Sequence, residues 1–459
     1  MNPRLAQPPG RFRRVAVAKL ADRHTQHALD EATARLYGHR TAAWEELDDV
    51  QALRERAREI RTRTIRDIER YVREFTEGVE RRGGHVHRCA DAEEAQRVVL
   101  EICRHAGATK VAKSKSMATE EIGLNAALEA DGIDVVETDL GEYILQLADE
   151  HPVHIVAPAI EKTAEDVAEL FTRVEGTPVR SDLAELTRSA RRQLRPAFLT
   201  ADVGVTGANF GVAETGTVCL VTNEGNGRLV SSLPRVHVAV MGMERLVPTL
   251  GELATLLRLL ARSATGQKLT SYTTLITGPR REGETDGPEE LHVVVIDNGR
   301  TNLLGTKYQE MLNCIRCGAC LNVCPVYRKA GGAAYGPVYS GPMGAVLAPL
   351  LAGLERAPDL PHASSLCGAC TSACPVKIPL HELLLELRRD RVATGTTSRA
   401  ERLAFTLWSL AWSTPGGYRV STRLARAGRR LGCAFGPGRA WARGRSLPPL
   451  TRQRFRDRT

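Results

Sequence analysis

Along residues 46–81 apolar side chains (Leu53, Ile60, Ile65, Ile68, Tyr71, Val72 and Phe75) fall at helical spacing among many charges, which predicts helix. Short apolar runs then alternate with amphipathic segments of helical length. Strands are expected at 85–88, 110–113, 134–137 and 153–157, and helices at 92–105, 119–130, 141–148, 163–174 and 181–194. Such alternation argues for an α/β fold around an open parallel sheet. From residue 201 the texture changes. Runs at 201–206, 217–222, 236–241, 273–277 and 292–297 are β-branched and separated by Gly, Asn and Pro, and are expected to complete the same sheet. A boundary is expected near residue 300, and a helix-like stretch at 344–354 lies beyond it. An apolar helix at 404–412, a break at Pro415-Gly416-Gly417 and a basic helix follow, then Gly/Pro/Arg coil. The Pro/Arg/Ala-rich start reads as a loosely attached arm. Four regions result: an arm (1–45), an α/β domain (46–300), a second module (301–390) and a tail (391–459).

Charge sharpens the picture of the tail. The 459-residue chain carries a net charge of +9. From residue 381 onward there are 17 Arg and no Lys against five acidic residues, a balance of +12, so the rest is slightly acidic at −3. A basic segment of this kind can meet nucleic acid, anionic lipid or an acidic protein, or can simply be a solvated tail. No stretch of eighteen uncharged apolar residues exists to span a bilayer. The first residues, MNPRLAQPPGRFRR, lack the apolar segment of a secretory signal, and the expected compartment is the cytoplasm.

The chemistry is concentrated in cysteine. Cys314, Cys317, Cys320 and Cys324 form a C-x2-C-x2-C-x3-C-P run, echoed by Cys367, Cys370 and Cys374 before Pro375. One tight loop of this spacing wraps three thiolates around a cubane iron–sulfur cluster, while the Cys before Pro ligates the other cluster. Zinc is the structural alternative for Cys-x2-Cys pairs, but zinc sites are not spaced as four-Cys runs closed by Pro. Crosswise ligation predicts Cys314, Cys317, Cys320 and Cys374 on one [4Fe–4S] cluster, and Cys324, Cys367 and Cys370 on a second. The second set is one thiolate short, because the matching position is Ser364. That centre is expected to be [4Fe–4S] with Ser364, water or another side chain on its fourth iron, or else [3Fe–4S]. The long insert between the runs favours an α-helical ferredoxin module over a compact ββ one. Cys89, Cys103, Cys219 and Cys433 read as small buried residues.

A second chemical region spans residues 204–217 and 222–228, rich in Gly, Asn and Thr. It matches no dinucleotide or phosphate-loop fingerprint. Its exposed backbone N–H groups suit an anion such as a carboxylate or phosphate, with Arg228 and the loop from Lys113 through Ser114 and Lys115 to Ser116 adding donors; hairpin turns are the plain alternative. Glu214 and Glu224 are possible acid–base residues, but spacing supplies no His or Lys partner for either, so the catalytic residue stays unknown. His85, His87, His151 and His154 lack metal-ligand spacing and read as surface or core.

At these residues the chain resembles the lactate utilisation protein B family (LutB). The motifs are VTGANF at 205–210, AETGT at 213–217, TNEGNGR at 222–228, CIRCGAC at 314–320, VYSGP at 338–342 and SLCGAC at 365–370. The likeness covers roughly residues 50–390 and extends more weakly into the tail. It implies a LUD domain, similar in fold to 5-formyltetrahydrofolate cyclo-ligase and the CoA-transferase-like proteins, followed by the two-cluster module. It further implies an electron-carrying subunit that works with LutA-like and LutC-like companions in oxidising L-lactate to pyruvate. A shared site for a small carboxylate, a quinone-linked acceptor and a peripheral seat at the membrane surface belong to that expectation. Two rivals stand beside it: a redox sensor whose basic tail binds nucleic acid, and a LUD domain catalytic in its own right. The lack of a helix-turn-helix pattern counts against the first.

Overall fold

Val- and Ile-rich runs buried on both faces build the central sheet of the computed structural model, which describes residues 3–336, 338–395, 397 and 399–432. The strands are β1 (His85–Cys89), β2 (Lys110–Lys113), β3 (Asp134–Glu137), β4 (Val203–Gly207), β5 (Phe210–Val212), β6 (Thr217–Thr222), β7 (Val236–Gly242), β8 (Leu246–Val247), β9 (Tyr272–Ile276) and β10 (Glu290–Ile296). Six of them form one all-parallel sheet in the order β1-β10-β7-β4-β2-β3. Every residue of β7 is buried, as a strand covered on both faces requires.

The expectation of one sheet is corrected. β6 and β9 pair antiparallel in a second sheet of order β8-β5-β6-β9. The reason lies in the turn after Val212, where Gly216 takes a left-handed φ of 63° and folds β6 back along β5. The strand expected at 153–157 is loop. Its backbone groups are claimed by side chains: the Val153 carbonyl accepts from the Tyr327 and Ser340 hydroxyls, and the Val156 carbonyl from Lys115. The helix expected at 119–130 breaks at Gly123, φ 71°, into Met117–Ile122 and Leu124–Ala130.

The loosely attached arm is likewise corrected. Helices α1 (Arg11–Ala21) and α2 (Arg23–Glu45) are followed by α3 (Val50–Arg66) and α4 (Ile68–Glu80). Leu5 and Leu29 are fully buried, Gln7 donates to the Arg356 carbonyl, and Arg40 donates to the Ala373 carbonyl. Burial of these side chains outweighs the disorder that the local composition suggests.

Residues 1–390 form one compact unit and residues 391–459 another. In the first, a single apolar cluster runs from Phe75 and the second sheet through Met311, Leu321 and Tyr335 to Leu384. The helix Gly341–Ala352 is apolar all round and buried at eleven positions, as such a pattern demands. The second unit holds the helices Arg399–Ser413 and Pro415–Gly432. Among the described residues no helix is long and apolar enough to cross a membrane.

Candidate functional site

Both cysteine runs fold as tight loops that enter short helices. Arg316 and Gly318 in the first take left-handed φ of 58° and 76°, and Leu366 and Gly368 in the second take 55° and 81°. Those conformations turn the backbone N–H groups inward. The Arg316 N–H donates to Cys314 Sγ at 3.4 Å, the Tyr327 N–H to Cys324 Sγ at 3.5 Å, and the Ile378 N–H to Cys374 Sγ at 3.3 Å.

The fold brings the cysteines near one another in two neighbouring groups, spread wider than a single metal ion takes, so that no three potential ligands among the described residues close on one ion. Cys314, Cys317, Cys320 and Cys374 lie within electrostatic reach of one another, as do Cys324, Cys367 and Cys370, and Cys320 senses Cys370 across the gap. Burial pushes the Cys317 and Cys374 thiols up to about 12 and Cys370 to about 11. Thiols so disfavoured as anions ionise only beside a strong cation. Buried sulfur donors, N–H groups aimed at sulfur and neighbouring arginines fit an iron–sulfur centre. Cys367 differs: it is exposed, and a hydrogen bond with Ser365 lowers it. Cys89, Cys103 and Cys219 are buried inside the α/β part, and Cys433 lies outside the described residues.

Arginines from distant elements fix both loops through their carbonyls. From α3, Arg54 donates to the Ser372 carbonyl at 3.0 Å and the Cys374 carbonyl at 2.7 Å. Two turns further on, Arg61, wholly buried, donates to the carbonyls of Leu312, Asn313, Leu246 and Glu244. Arg245 donates to the Cys314 carbonyl at 2.9 Å. None of these arginines was distinguishable in sequence from a solvated charge.

A cavity of about 1020 Å³ opens at the carboxyl ends of β2, β4 and β7, the edge where open α/β sheets take ligands. Ser114, Lys115, Ser116, residues 207–209 and residues 222–224 line it, so most of the anion-binding region foreseen in sequence does converge. A Cβ on Gly207 would sit 2.8 Å from Ser116 Oγ, which explains the glycine. Three expected members are absent from the lining. Lys113 is fully buried, paired with Glu120 and Glu137, and Arg228 does not border the cavity. Glu214 is occupied as well, accepting from the Leu250 N–H at 2.7 Å.

Glu224 does line the cavity, accepting from the Leu140 N–H at 3.2 Å. Loss of water around it, although the side chain still reaches solvent, and the adjacent Asp139 carboxylate raise it above the ordinary carboxylate range. Lys115 lies 3.5 Å from Asp139 and is held protonated. His154 is buried and lowered to about 4, hence neutral; Nδ1 accepts from Val156 and Ala157, so Nε2 donates to Asn322 in the first cysteine run. His87 and His292 touch at the far edge of the sheet and take no part.

The cavity and the first cysteine loop share a wall. Arg316, between Cys314 and Cys317, lines the cavity and pairs with Glu244 at 3.1 Å. Glu244 in turn pairs with Arg300, which forks onto both oxygens of Glu121 at 2.9 and 2.8 Å, and Tyr339 donates to the same carboxylate. The arginines hold Glu244 down at about 2 despite complete burial. Gly242 makes room: a Cβ there would lie 2.1 Å from Glu244 Oε2.

Comparison with known proteins places this arrangement. Family models match residues 72–296 (LUD domain), 310–378 (4Fe-4S dicluster domain) and 391–459 (lactate utilisation protein B, C-terminal). Lactate utilization protein B of Shouchella clausii is 50% identical over 446 residues, covering 95% of this chain and 94% of its own length. The chain belongs to the lactate utilisation protein B family. Members from Geobacillus kaustophilus and Bacillus thuringiensis are 49% and 48% identical over 97% and 95% of the chain, and over 93% and 94% of their own lengths. A crystal structure of a DUF162 family protein from Deinococcus radiodurans aligns with 50% of the chain and 98% of itself, at 16% identity and a TM-score of 0.29, too distant to bear on function. As a LutB family member the chain thus combines a LUD domain with an iron–sulfur dicluster domain, and its first cysteine loop walls the LUD cavity.

Proposed function

We propose that this chain serves lactate utilisation as the one-electron carrier of an assembly that oxidises L-lactate to pyruvate. The observation that carries the reading is the pair of neighbouring cysteine groups, Cys314/Cys317/Cys320/Cys374 and Cys324/Cys367/Cys370, beside a cavity that Lys115, Arg245 and Arg316 help to line. Two iron–sulfur clusters held there would supply transfer of single electrons. Arg54, Arg61 and Arg245 hold the loops in register and offset the negative charge that ligand thiolates bring. Lys115, Arg245 and Arg316 give the cavity the charge and donors to hold a small carboxylate.

Lactate and pyruvate differ by two electrons and two protons, so the two-electron acceptor is assigned to a LutA-like or LutC-like companion. The Arg-rich tail is the docking element, toward a companion or the anionic membrane surface where a quinone-linked acceptor would lie. Protein purified without oxygen should hold about seven or eight irons per chain with matching sulfide, and give EPR signals of two interacting centres once reduced. L-lactate should reduce it only when the companions are present. Four irons or fewer after careful reconstitution, or zinc in their place, would overturn the reading.

A catalytic LUD domain is the second reading, and the placement of Glu224 in the cavity favours it over Glu214. Loss of lactate oxidation in Glu224→Gln at unchanged iron content would support it.

A further inference from the structure

The two cysteine runs are the same loop built twice. Cys317, Cys320 and Cys324 recur fifty residues on as Cys367, Cys370 and Cys374, and the counterpart of Cys314 is Ser364. The backbone repeats with the spacing. Arg316 and Leu366, neither of them glycine, share a left-handed φ of 58° and 55°, and Gly318 and Gly368 share 76° and 81°. The next turns match too: Leu321 N–H donates to the Gly318 carbonyl at 3.0 Å, and Thr371 N–H to the Gly368 carbonyl at 3.0 Å. A bulky side chain in the left-handed region is strained, so its recurrence at Leu366 marks a conformation held for a purpose.

Ser364 Oγ is placed as the sulfur of Cys314 is. Cys314 Sγ accepts from the N–H two residues on, at 3.4 Å, and Ser364 Oγ accepts from the Leu366 N–H at 3.1 Å. Arg388 anchors the turn from outside, donating to the Pro361 carbonyl at 2.8 Å and the Ser364 carbonyl at 2.9 Å. The loop therefore presents Ser364 Oγ, Cys367 and Cys370 as the first loop presents its three sulfurs.

We propose that Ser364 Oγ is the fourth ligand of the second centre, which makes that centre a four-iron cubane with three thiolates and one alkoxide. The inference rests on the two-cluster reading above. Forming the Fe–O bond breaks the Ser364 O–H bond; the proton leaves to solvent, and no electron moves. An alkoxide is a harder donor than a thiolate and favours the ferric state, so this centre is the harder of the two to reduce.

The experiment uses the full chain, reconstituted without oxygen with 57Fe, in wild type, Ser364→Cys, Ser364→Ala and the control Ser372→Ala, whose side chain is exposed. Mössbauer spectra, iron counts and redox titration by EPR are read on each. Wild type and Ser372→Ala are expected to show about eight irons, with one iron site distinct from the thiolate-bound ones. Ser364→Cys should keep the count, lose the distinct site and raise the second potential. Ser364→Ala should fall to about seven irons and show the oxidised signal of a three-iron centre. A wild-type protein that already holds the three-iron centre would overturn the assignment. So would a distinct site that persists in Ser364→Cys or moves in Ser372→Ala; if Ser364→Ala fails to fold, those readouts still decide. A count of four irons in every variant would instead sink the two-cluster reading.

Discussion

Glu244 shows how much one side chain carries here. It lies between Arg300 and Arg316, so a single carboxylate ties the sheet edge to the loop that bears Cys314 and Cys317. Its folded value of about 2 lies below the ordinary carboxylate value. The stabilisation is therefore complete above the ordinary value and is lost as pH falls through it toward 2. Glu244→Gln leaves Arg316 without its carboxylate and Arg300 with Glu121 alone, and should cost about 3–5 kcal/mol. Urea unfolding of the two proteins at neutral pH and near pH 3 would measure this; the gap should be wide at neutral pH and narrow in acid. Nothing in the local sequence marks Glu244, because its partners arrive from residues 300 and 316. The cysteines were legible for the opposite reason: most members of each group are neighbours along the chain, so spacing alone carries the chemistry.

Among the elements, α3 has the least expected role. Its periodicity announces a charged amphipathic helix, and the natural reading of Arg54 and Arg61 is a solvated face. Both are buried, and they splint the second and first cysteine loops to the same rod. Arg61→Lys tests the splint, since a lysine keeps the charge but cannot fork onto four carbonyls. Each carbonyl left without a donor should cost about 1–3 kcal/mol, and chelators should strip iron from the variant faster than from wild type. An unchanged stripping rate would leave α3 a purely structural helix. The misplaced β6 and β9 have a related explanation. Alternation of apolar residues identifies a strand, but which sheet it joins depends on its pairing partners: β6 folds back on its hairpin neighbour β5, and β9 joins them by pairing with the distant β6.

On the scale of the whole molecule, the chain divides at residue 390 into a large unit with its own continuous core and a small basic one. Deleting residues 391–459 should leave iron and sulfide per chain unchanged. The same deletion should abolish co-sedimentation with vesicles that contain anionic lipid. The segment holds 15 Arg and no Lys, and its helix Arg399–Ser413 exposes Leu403, Phe405, Trp408 and Trp412. Each basic residue near an anionic surface contributes about 1 kcal/mol, so binding by the full chain should weaken steeply with added salt. Vesicle binding that survives the deletion would move the docking element elsewhere. The tail's charge is plain in composition, which already sets residues 391–459 apart.

One asymmetry between the cysteine groups has a consequence for traffic through the molecule. Cys317 and Cys374 are buried near Arg40 and Arg54, and Cys317 follows the Arg316 that lines the cavity, while Cys367 stands in the open. On the electron-carrier reading proposed above, such a conductor would have an insulated end and a bare terminal. Charge that entered from the cavity side would leave through the second group, where a redox partner would need only to touch the surface around residues 362–368 to collect it. The same opening would admit dioxygen, so the exit is also where such a wire should first corrode.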